Sequence, residues 1–210
     1  MACFVKFQEG ATGIARAVTD QGSLFHFRLA YVSAALEASS LDGLCADGSI
    51  PDIPFEIPED VLELATGALE AEKKALSLLA RAEQHRAGLE RKLGAKGLSR
   101  WCLRQALDHL ESGGMLSDRR YACSWIRQRL RGHIEGPRML SAKLSSRGVD
   151  SVAIREALSE VLATEERIPI IVRAMVAMRK EGLDGRVIRT RLIEMGWRSS
   201  EIDDAADSLD

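Results

Sequence analysis

Apolar residues recur three and four positions apart through most of the chain after residue 58, a spacing that places them on one face of an α-helix. Pro58 followed by Glu59 and Asp60 predicts the start of the first long helix, because proline fits the first turn and acids favour its positive end. A second amphipathic pattern begins at Asp118, and a third ends near Gly182. The chain is therefore predicted to be mainly α-helical.

The N-terminal part shows a different pattern. Aromatic and polar side chains nearly alternate over residues 23–29, and residues 14–19 precede them with a plausible turn at 20–23. We therefore predict that residues 1–38 form strands.

Three prolines then fall within eight residues, at Pro51, Pro54 and Pro58. Each proline pushes the preceding residue towards extended geometry, so residues 39–58 are predicted to be a linker. Residues 1–58 together are expected to form a β-hairpin-like extension and linker.

Three segments of the helical part share one pattern. In each, an apolar residue lies four positions before a leucine, a cation directly precedes that leucine, and a glycine follows four positions later. The three leucines recur at intervals of 51 and 48 residues, which indicates an internal repeat. The leucines are Leu93, Leu144 and Leu192, and the glycines are Gly97, Gly148 and Gly196.

Each repeated segment has a physical interpretation. The glycine suits a left-handed helix C-cap, and Ser99, Asp150 or Ser199 can cap the helix that follows. With the amphipathic helix upstream, each unit has about three helices over ~50 residues and buries a continuous core only when stacked. We predict a mainly α fold, an elongated array of three tandem three-helix repeats with a short strand-containing N-terminal extension. The predicted repeats are residues 59–114, 115–163 and 164–210.

Charge is divided unevenly along the 210 residues, although the whole chain has a net charge of only −2. Residues 1–71 sum to −8, residues 72–160 to +8, and residues 161–210 to −2. Within the second repeat, residues 119–147 hold eight cations and the single acid Glu135. Because so few acids accompany these cations, helical i,i+4 pairing cannot neutralise them, and a polyanionic or acidic partner is favoured over a merely solvated face.

The sequence lacks the common motifs for catalysis and metal binding. It has no phosphate-binding GxxxxGK[ST] loop and no GxSxG elbow, and its four histidines and four cysteines lack metal-ligand spacing. No cofactor is therefore expected. Trp101, Trp125 and Trp197 lie within the helical units and are interpreted as packing residues. The widely spaced cysteines, and the lack of a membrane span or leader, favour a cytoplasmic protein.

The helical part resembles the RecX family of recombination regulators over about residues 72–206. The resemblance depends on the order and spacing of four groups of residues. They are Ala75-Leu76-Ser77-Leu78-Leu79-Ala80-Arg81; Leu89, Lys92-Leu93 and Gly97; Leu116-Ser117-Asp118-Arg119-Arg120-Tyr121-Ala122; and Gly136-Pro137 with Leu140, Leu144 and Gly148-Val149. Departures from the family pattern occur at Gln84, His85, Gly88, Ser117, Met139 and Lys143.

This resemblance implies a non-enzymatic protein that binds the RecA nucleoprotein filament, including its single- or double-stranded DNA. It implies modulation, mostly inhibition, of the ATPase, strand-exchange and co-protease activities of RecA, within DNA repair, homologous recombination and the SOS response. A self-contained triple repeat favours a monomer. The candidate contacts with the filament or DNA are Arg119, Arg120, Arg127, Arg129, Arg131, Arg138, Lys143 and Arg147 in the second repeat, and Arg81, Arg86, Arg91, Lys92 and Lys96 in the first.

Two other functions remain open from the residues. A general helical DNA- or RNA-binding protein would need only the basic repeat. An undetected enzyme such as a nuclease would need a group of catalytic carboxylates or histidines that the sequence does not show. The acidic N-terminal part could also cover the basic repeat, since the two charges are complementary.

Overall fold

The computed structural model of the protein describes residues 1–39 and 53–209, the side chains of 164–166 excepted, and these divide into two units. Unit 1 consists of Met1–Ala82 and Leu89–Leu116, and unit 2 consists of Glu83–Gly88 and Ser117–Asp210. The prediction of a mainly helical chain with a small strand-containing N-terminal part is confirmed.

Unit 1 begins with a four-stranded antiparallel sheet in the order β3-β2-β1-β4. Its strands are β1 (Ala2–Glu9), β2 (Ala15–Thr19), β3 (Leu24–Phe27) and β4 (Phe55–Ile57). The strands predicted over 14–19 and 23–29 are confirmed as β2 and β3. The tight turn between them contains Gly22 at φ 82°, a conformation that favours glycine.

Two expectations for the N-terminal part are wrong. Residues 29–38 form helix α1 (Leu29–Ala38) instead of a strand, because Leu29, Val32 and Leu36 recur at helical spacing and are buried together. The predicted linker contains strand β4, where Phe55 and Ile57 alternate into the core and β4 pairs with β1. The remainder of that prediction, including Pro51, falls within 40–52 and lies outside the described residues.

A buried polar cluster joins the sheet, α1 and the first long helix of unit 1. Glu72 has a side chain only 2% exposed and accepts two hydrogen bonds from Arg28, from Nε at 2.7 Å and Nη2 at 2.6 Å. The Tyr31 hydroxyl donates to the same carboxylate at 2.8 Å. Burial alone would raise the pKa of Glu72, but hydrogen bonds from Arg28 and then Tyr31 outweigh burial and lower it.

Nine helices of the described chain follow in three groups of three. The helices of repeat 1 are α2 (Glu59–Leu79), α3 (Arg86–Gly94) and α4 (Arg100–Ser112); those of repeat 2 are α5 (Asp118–Gly132), α6 (Pro137–Ser145) and α7 (Ser151–Val161); those of repeat 3 are α8 (Thr164–Lys180), α9 (Gly185–Glu194) and α10 (Ser199–Asp207). The first long helix begins at Glu59 after Pro58, as predicted.

The repeated leucines and glycines occupy equivalent places. The leucines are fully buried, at 0% exposure. The glycines have φ angles of 81°, 86° and 94° in chain order, so the prediction of left-handed C-caps is confirmed.

The predicted N-caps are confirmed in two repeats. Ser99 accepts a hydrogen bond from the Cys102 N–H, and Asp150 caps α7. The third prediction is wrong, because Ser199 is the first residue of α10. The chain there is held instead by Glu201, whose carboxylate accepts the Arg198 N–H at 3.0 Å.

The tryptophans pack as predicted. Trp197 is fully buried in the core of repeat 3, and Trp125 packs against the core of repeat 2. Trp101 packs against the core that the sheet, α1, α2 and α4 share in unit 1.

Unit 2 contains two equivalent contacts between the start of one short helix and the C-cap turn of the next repeat. In the first junction, His85 Nε2 lies 3.0 Å from the Arg147 carbonyl oxygen. In the second, the Gly136 N–H donates to the Met195 carbonyl at 2.8 Å. His85 and Gly136 each lie four residues before the first apolar residue of the repeated pattern, so the two junctions share one register.

Candidate functional site

Helix α5 contains five of the candidate cations, and four of them project to two opposite sides of the helix. At 100° per residue, Arg120, Arg127 and Arg131 project within about 40° of one another, and all three are exposed. Arg129 projects about 180° from Arg120, next to the buried side of the helix. We call the three clustered residues the α5 arginine face.

One carboxylate of α7 holds two arginines of α5. The Glu160 oxygens accept hydrogen bonds from Arg119 Nη2 at 2.9 Å and Arg127 Nη2 at 2.8 Å. These two hydrogen bonds lower the pKa of Glu160, Arg119 contributing most. All three side chains are at least 38% exposed, and solvent screening makes such ion pairs weak.

Arg129 and Lys143 instead belong to a partly buried ion cluster around Glu135. The Glu135 side chain is 11% exposed and accepts hydrogen bonds from Arg129 Nη2 at 2.7 Å and Lys143 Nζ at 2.6 Å. The hydrogen bond from Arg129 is the largest cause of a lowered pKa at Glu135, burial opposes it, and Lys143 adds to it. These two cations therefore hold the turn before α6 and are poor candidates for a partner contact.

The remaining cations of repeat 2 differ in their surroundings. The Arg147 guanidinium lies 5.2 Å from the centroid of the Trp125 ring, a cation–π distance. Arg131 and Arg138 are exposed and have no ion pair among the described residues. Arg120 pairs with Glu83 at 3.0 Å, with the arginine side chain 47% exposed.

The candidates in repeat 1 fall in both units. Arg81, Arg91, Lys92 and Lys96 are exposed residues of unit 1, and Arg86 is a half-buried residue of unit 2. The backbone N–H of Arg86 donates to Asp118 at 2.8 Å, so its main chain has a structural role.

Few acids lie next to the basic segment of repeat 2 in the sequence, as expected, but the folded chain brings acids close to it. In the folded chain, acids from outside residues 119–147 approach it: Glu83 from before α3, and Glu156 and Glu160 from α7. Tertiary packing thus neutralises part of the local excess of +7 that the eight cations and Glu135 of residues 119–147 give. The interpretation that these cations lack acidic neighbours is therefore wrong for Arg119, Arg120 and Arg127.

Asp118 has a structural role that its sequence context did not predict. Its two carboxylate oxygens accept backbone N–H groups of Arg86 at 2.8 Å and Asp150 at 3.0 Å. It thereby joins the start of α3 to the start of α7 within unit 2. The signal available in the sequence was its place in the Leu116–Ala122 segment that resembles the RecX signature.

Metal-ligating clusters and membrane-spanning helices are both missing from the described ranges. Among the side chains of residues 1–39, 53–163 and 167–209, no group of three or more from His, Cys, Asp and Glu is placed to hold a metal ion. None of the helices in the same ranges combines the length and the apolar character needed to cross a bilayer.

Comparison with known proteins places repeat 2 within a described domain family. The sequence model of the second three-helix domain of RecX matches residues 117–158, which include α5 and α6 and most of α7.

Related proteins extend the match. A "Regulatory protein RecX" of Pseudomonas putida (strain GB-1) is 35% identical over 123 residues, covering 58% of this chain and 78% of the relative. The protein of the same name from Mycolicibacterium smegmatis is 31% identical over 136 residues, covering 63% and 71%.

Solved structures support the fold. A crystal structure of regulatory protein RecX superimposes with a TM-score of 0.65 at 17% identity, covering 99% of this chain and all of that one. The crystal structure of RecX from Lactobacillus salivarius gives a TM-score of 0.57 at 21% identity, over 68% and 96% of the two chains. These structures share the fold, and the sequence relatives show that this chain belongs to the RecX family of regulatory proteins.

Proposed function

We propose that this RecX-family protein binds the RecA nucleoprotein filament and modulates, mostly by inhibition, its ATPase, strand-exchange and co-protease activities. Membership of the family is the observation that supports this proposal. The protein acts by binding, without catalysis or a cofactor, as a cytoplasmic monomer in DNA repair, homologous recombination and the SOS response.

The α5 arginine face is the part of the candidate site best suited to such binding. Arg120, Arg127 and Arg131 are exposed and share one side of the helix. The ion pairs of Arg120 and Arg127 are exposed, and such pairs are weak enough to be exchanged for phosphate or for a carboxylate of RecA. Arg129 is excluded because it anchors Glu135.

The test is a titration of RecA ATPase on single-stranded DNA. Wild-type protein should inhibit well below the stoichiometry of RecA. The triple variant Arg120→Glu, Arg127→Glu and Arg131→Glu should need at least about tenfold more protein, because charge reversal removes electrostatic attraction. The matched control is Arg173→Glu, Arg179→Glu and Lys180→Glu, an equal change on exposed residues of α8, which should inhibit like wild type.

Thermal denaturation would verify that both triple variants are folded. No inhibition by the wild-type protein would reject the proposed function. Inhibition that appears only where the protein saturates bare DNA at the same salt would favour the alternative of a general DNA- or RNA-binding protein. Equal loss in both triple variants would remove the α5 arginine face from the binding surface.

A further inference from the structure

A groove in unit 2 is lined by arginines, most of which lie outside the basic segment of repeat 2. It lies between α6, α7 and the turn before α10, and contains adjoining cavities of about 360 and 420 Å³. Four arginines line it: Arg138, Arg155, Arg167 and Arg198. Only Arg138 is among the residues predicted to contact the filament. We call this the junction groove.

The arginines of the junction groove are not neutralised by its own lining. Among the side chains that the structure describes, which leave out 164–166, no aspartate or glutamate lines either cavity. Arg138, Arg155 and Arg198 are exposed and form no ion pair in that part of the chain. The groove therefore concentrates positive charge in a concave surface, where anion binding is favoured.

Arg167 differs, because the fold holds it in place. Its Nη1 donates to Glu201 at 2.7 Å and its Nε donates to the Leu162 carbonyl at 2.8 Å. The side chain is 24% exposed. It supplies a fixed wall to the groove, while the three exposed arginines remain able to contact a ligand.

The other lining side chains add hydroxyl groups and a short apolar floor. Ser151, Arg155 and Ser159 repeat at four-residue intervals on α7, and Ser141 on α6 lines both cavities. Ile154 and Leu158 lie on the same side of α7. Arginine and serine side chains are among the usual donors to the phosphate and sugar oxygens of nucleic acids, so this set of donors suits a phosphodiester backbone.

We propose that the junction groove binds the phosphodiester backbone of a nucleic-acid strand, with Arg138, Arg155 and Arg198 contacting phosphates. No aromatic side chain lines the groove among the described residues, so base stacking is not used, and contacts to phosphate carry no sequence information. This inference deepens the proposed function, because it names DNA as the component of the filament that a second surface contacts.

The experiment measures binding of the full chain to a fluorescent single-stranded oligothymidine without RecA. The variant Arg155→Gln with Arg198→Gln should weaken binding at least about tenfold at about 50 mM salt. Its plot of log affinity against log salt should lose about 1.4 of slope, at about 0.7 for each phosphate contact on a single strand. The matched control Arg173→Gln with Arg179→Gln removes the same charge from α8, outside the groove, and should bind like wild type.

A wild-type protein that does not bind the oligonucleotide, or equal weakening in both double variants, would overturn the inference. It would also be overturned if the groove variant kept DNA binding but lost binding to an oligoglutamate peptide, since the occupant would then be an acidic protein segment. Failure here is distinct from failure of the proposed function, because the ATPase titration uses RecA and a different set of arginines.

Discussion

The two junctions of unit 2 make the same contact with different chemistry. In the first, the His85 side chain reaches the Arg147 carbonyl, and the ring also lies 4.5 Å from the centroid of Tyr121. In the second, the backbone of Gly136 reaches the Met195 carbonyl directly. A carbonyl can only accept a hydrogen bond, so Nε2 of His85 is the donor in the first junction.

The two junctions therefore require different residues at equivalent positions of the repeat. A direct backbone contact needs glycine on both sides: a Cβ on Gly136 would lie 2.5 Å from the Gly196 carbonyl, and one on Gly196 would lie 2.5 Å from the Met139 nitrogen. A side-chain contact needs space beside the ring instead. That space exists because residue 88 is glycine, where a Cβ would lie 2.7 Å from the His85 ring.

The largest expected effect comes from a methyl group at the second junction. Gly136→Ala should reduce the free energy of unfolding by at least about 3 kcal/mol, because every close neighbour is backbone and cannot move aside. Urea denaturation of the full chain measures it. Gly132→Ala is the matched control, since its Cβ would meet nothing within 4 Å and it should change stability by less than about 1 kcal/mol. A Gly136 variant as stable as this control would refute the direct backbone contact.

A smaller effect is expected at the first junction. His85→Ala should cost about 2 kcal/mol, because the Arg147 carbonyl loses its donor and a space opens beside Tyr121 and Gly88. The exposed residue His133 provides the control, since His133→Ala should leave the urea midpoint almost unchanged. Equal shifts in the two variants would show that His85 does not support the junction.

The smallest effect is a dependence on pH that distinguishes the junctions. Glu135 directly precedes Gly136, whereas the equivalent residue before His85 is the non-titrating Gln84. The pKa of Glu135 is lowered in the folded chain, so its contribution is complete above the ordinary carboxyl value near pH 4.3. It is lost as the pH falls through the lowered value.

Glu135→Gln should therefore cost about 1 kcal/mol at pH 7, and the difference from wild type should shrink below about pH 4.5. Urea denaturation of both proteins from pH 7 to pH 3 measures this difference. Glu156→Gln, at an exposed acid of α7, serves as the reference and should show less than about 0.5 kcal/mol at any pH. A difference for Glu135 that grows towards low pH would contradict a stabilising role for the ionised carboxylate.

The acidic N-terminal part shares its core with the first repeat. Phe4, Phe27 and Phe55 pack in one core with Leu62 and Leu69 of α2. Removing residues 1–58 would therefore expose the apolar side of α2 as well as remove negative charge. The prediction that this part covers the basic repeat is better tested by replacing exposed acids such as Glu9 and Glu56 with glutamine and measuring salt-dependent binding.

Much of the helical part could be predicted because its signals are local. The buried leucines, the left-handed Gly97, Gly148 and Gly196, and the caps at Ser99 and Asp150 each depend on residues within one or two helical turns. The predictions failed where packing overrides a local pattern. Helix α1 was obscured by the alternating aromatic residues just before it, and β4 by the prolines around it.

The sequence could predict which cations the candidate site contains, but not which of them form an accessible surface. Its arginines could be counted from the sequence, and helical geometry alone separates Arg129 from Arg120, Arg127 and Arg131. Whether Arg119, Arg120 and Arg127 meet acids depends on Glu83 and Glu160, which lie 33 to 41 positions away along the chain. Such contacts form only when α5 packs on α7 and on the segment before α3.

The sequence by itself determined the repeat, the helix ends at Gly97, Gly148 and Gly196 and the total charge of each segment, because these follow from side-chain chemistry within a few residues. Tertiary structure alone decided which cations are neutralised, which glycines have backbone against them, and that arginines from α6, α7, α8 and the turn before α10 line one groove. Electrostatic and steric interactions act over a few ångströms of space, irrespective of separation along the chain, so only the folded arrangement specifies them.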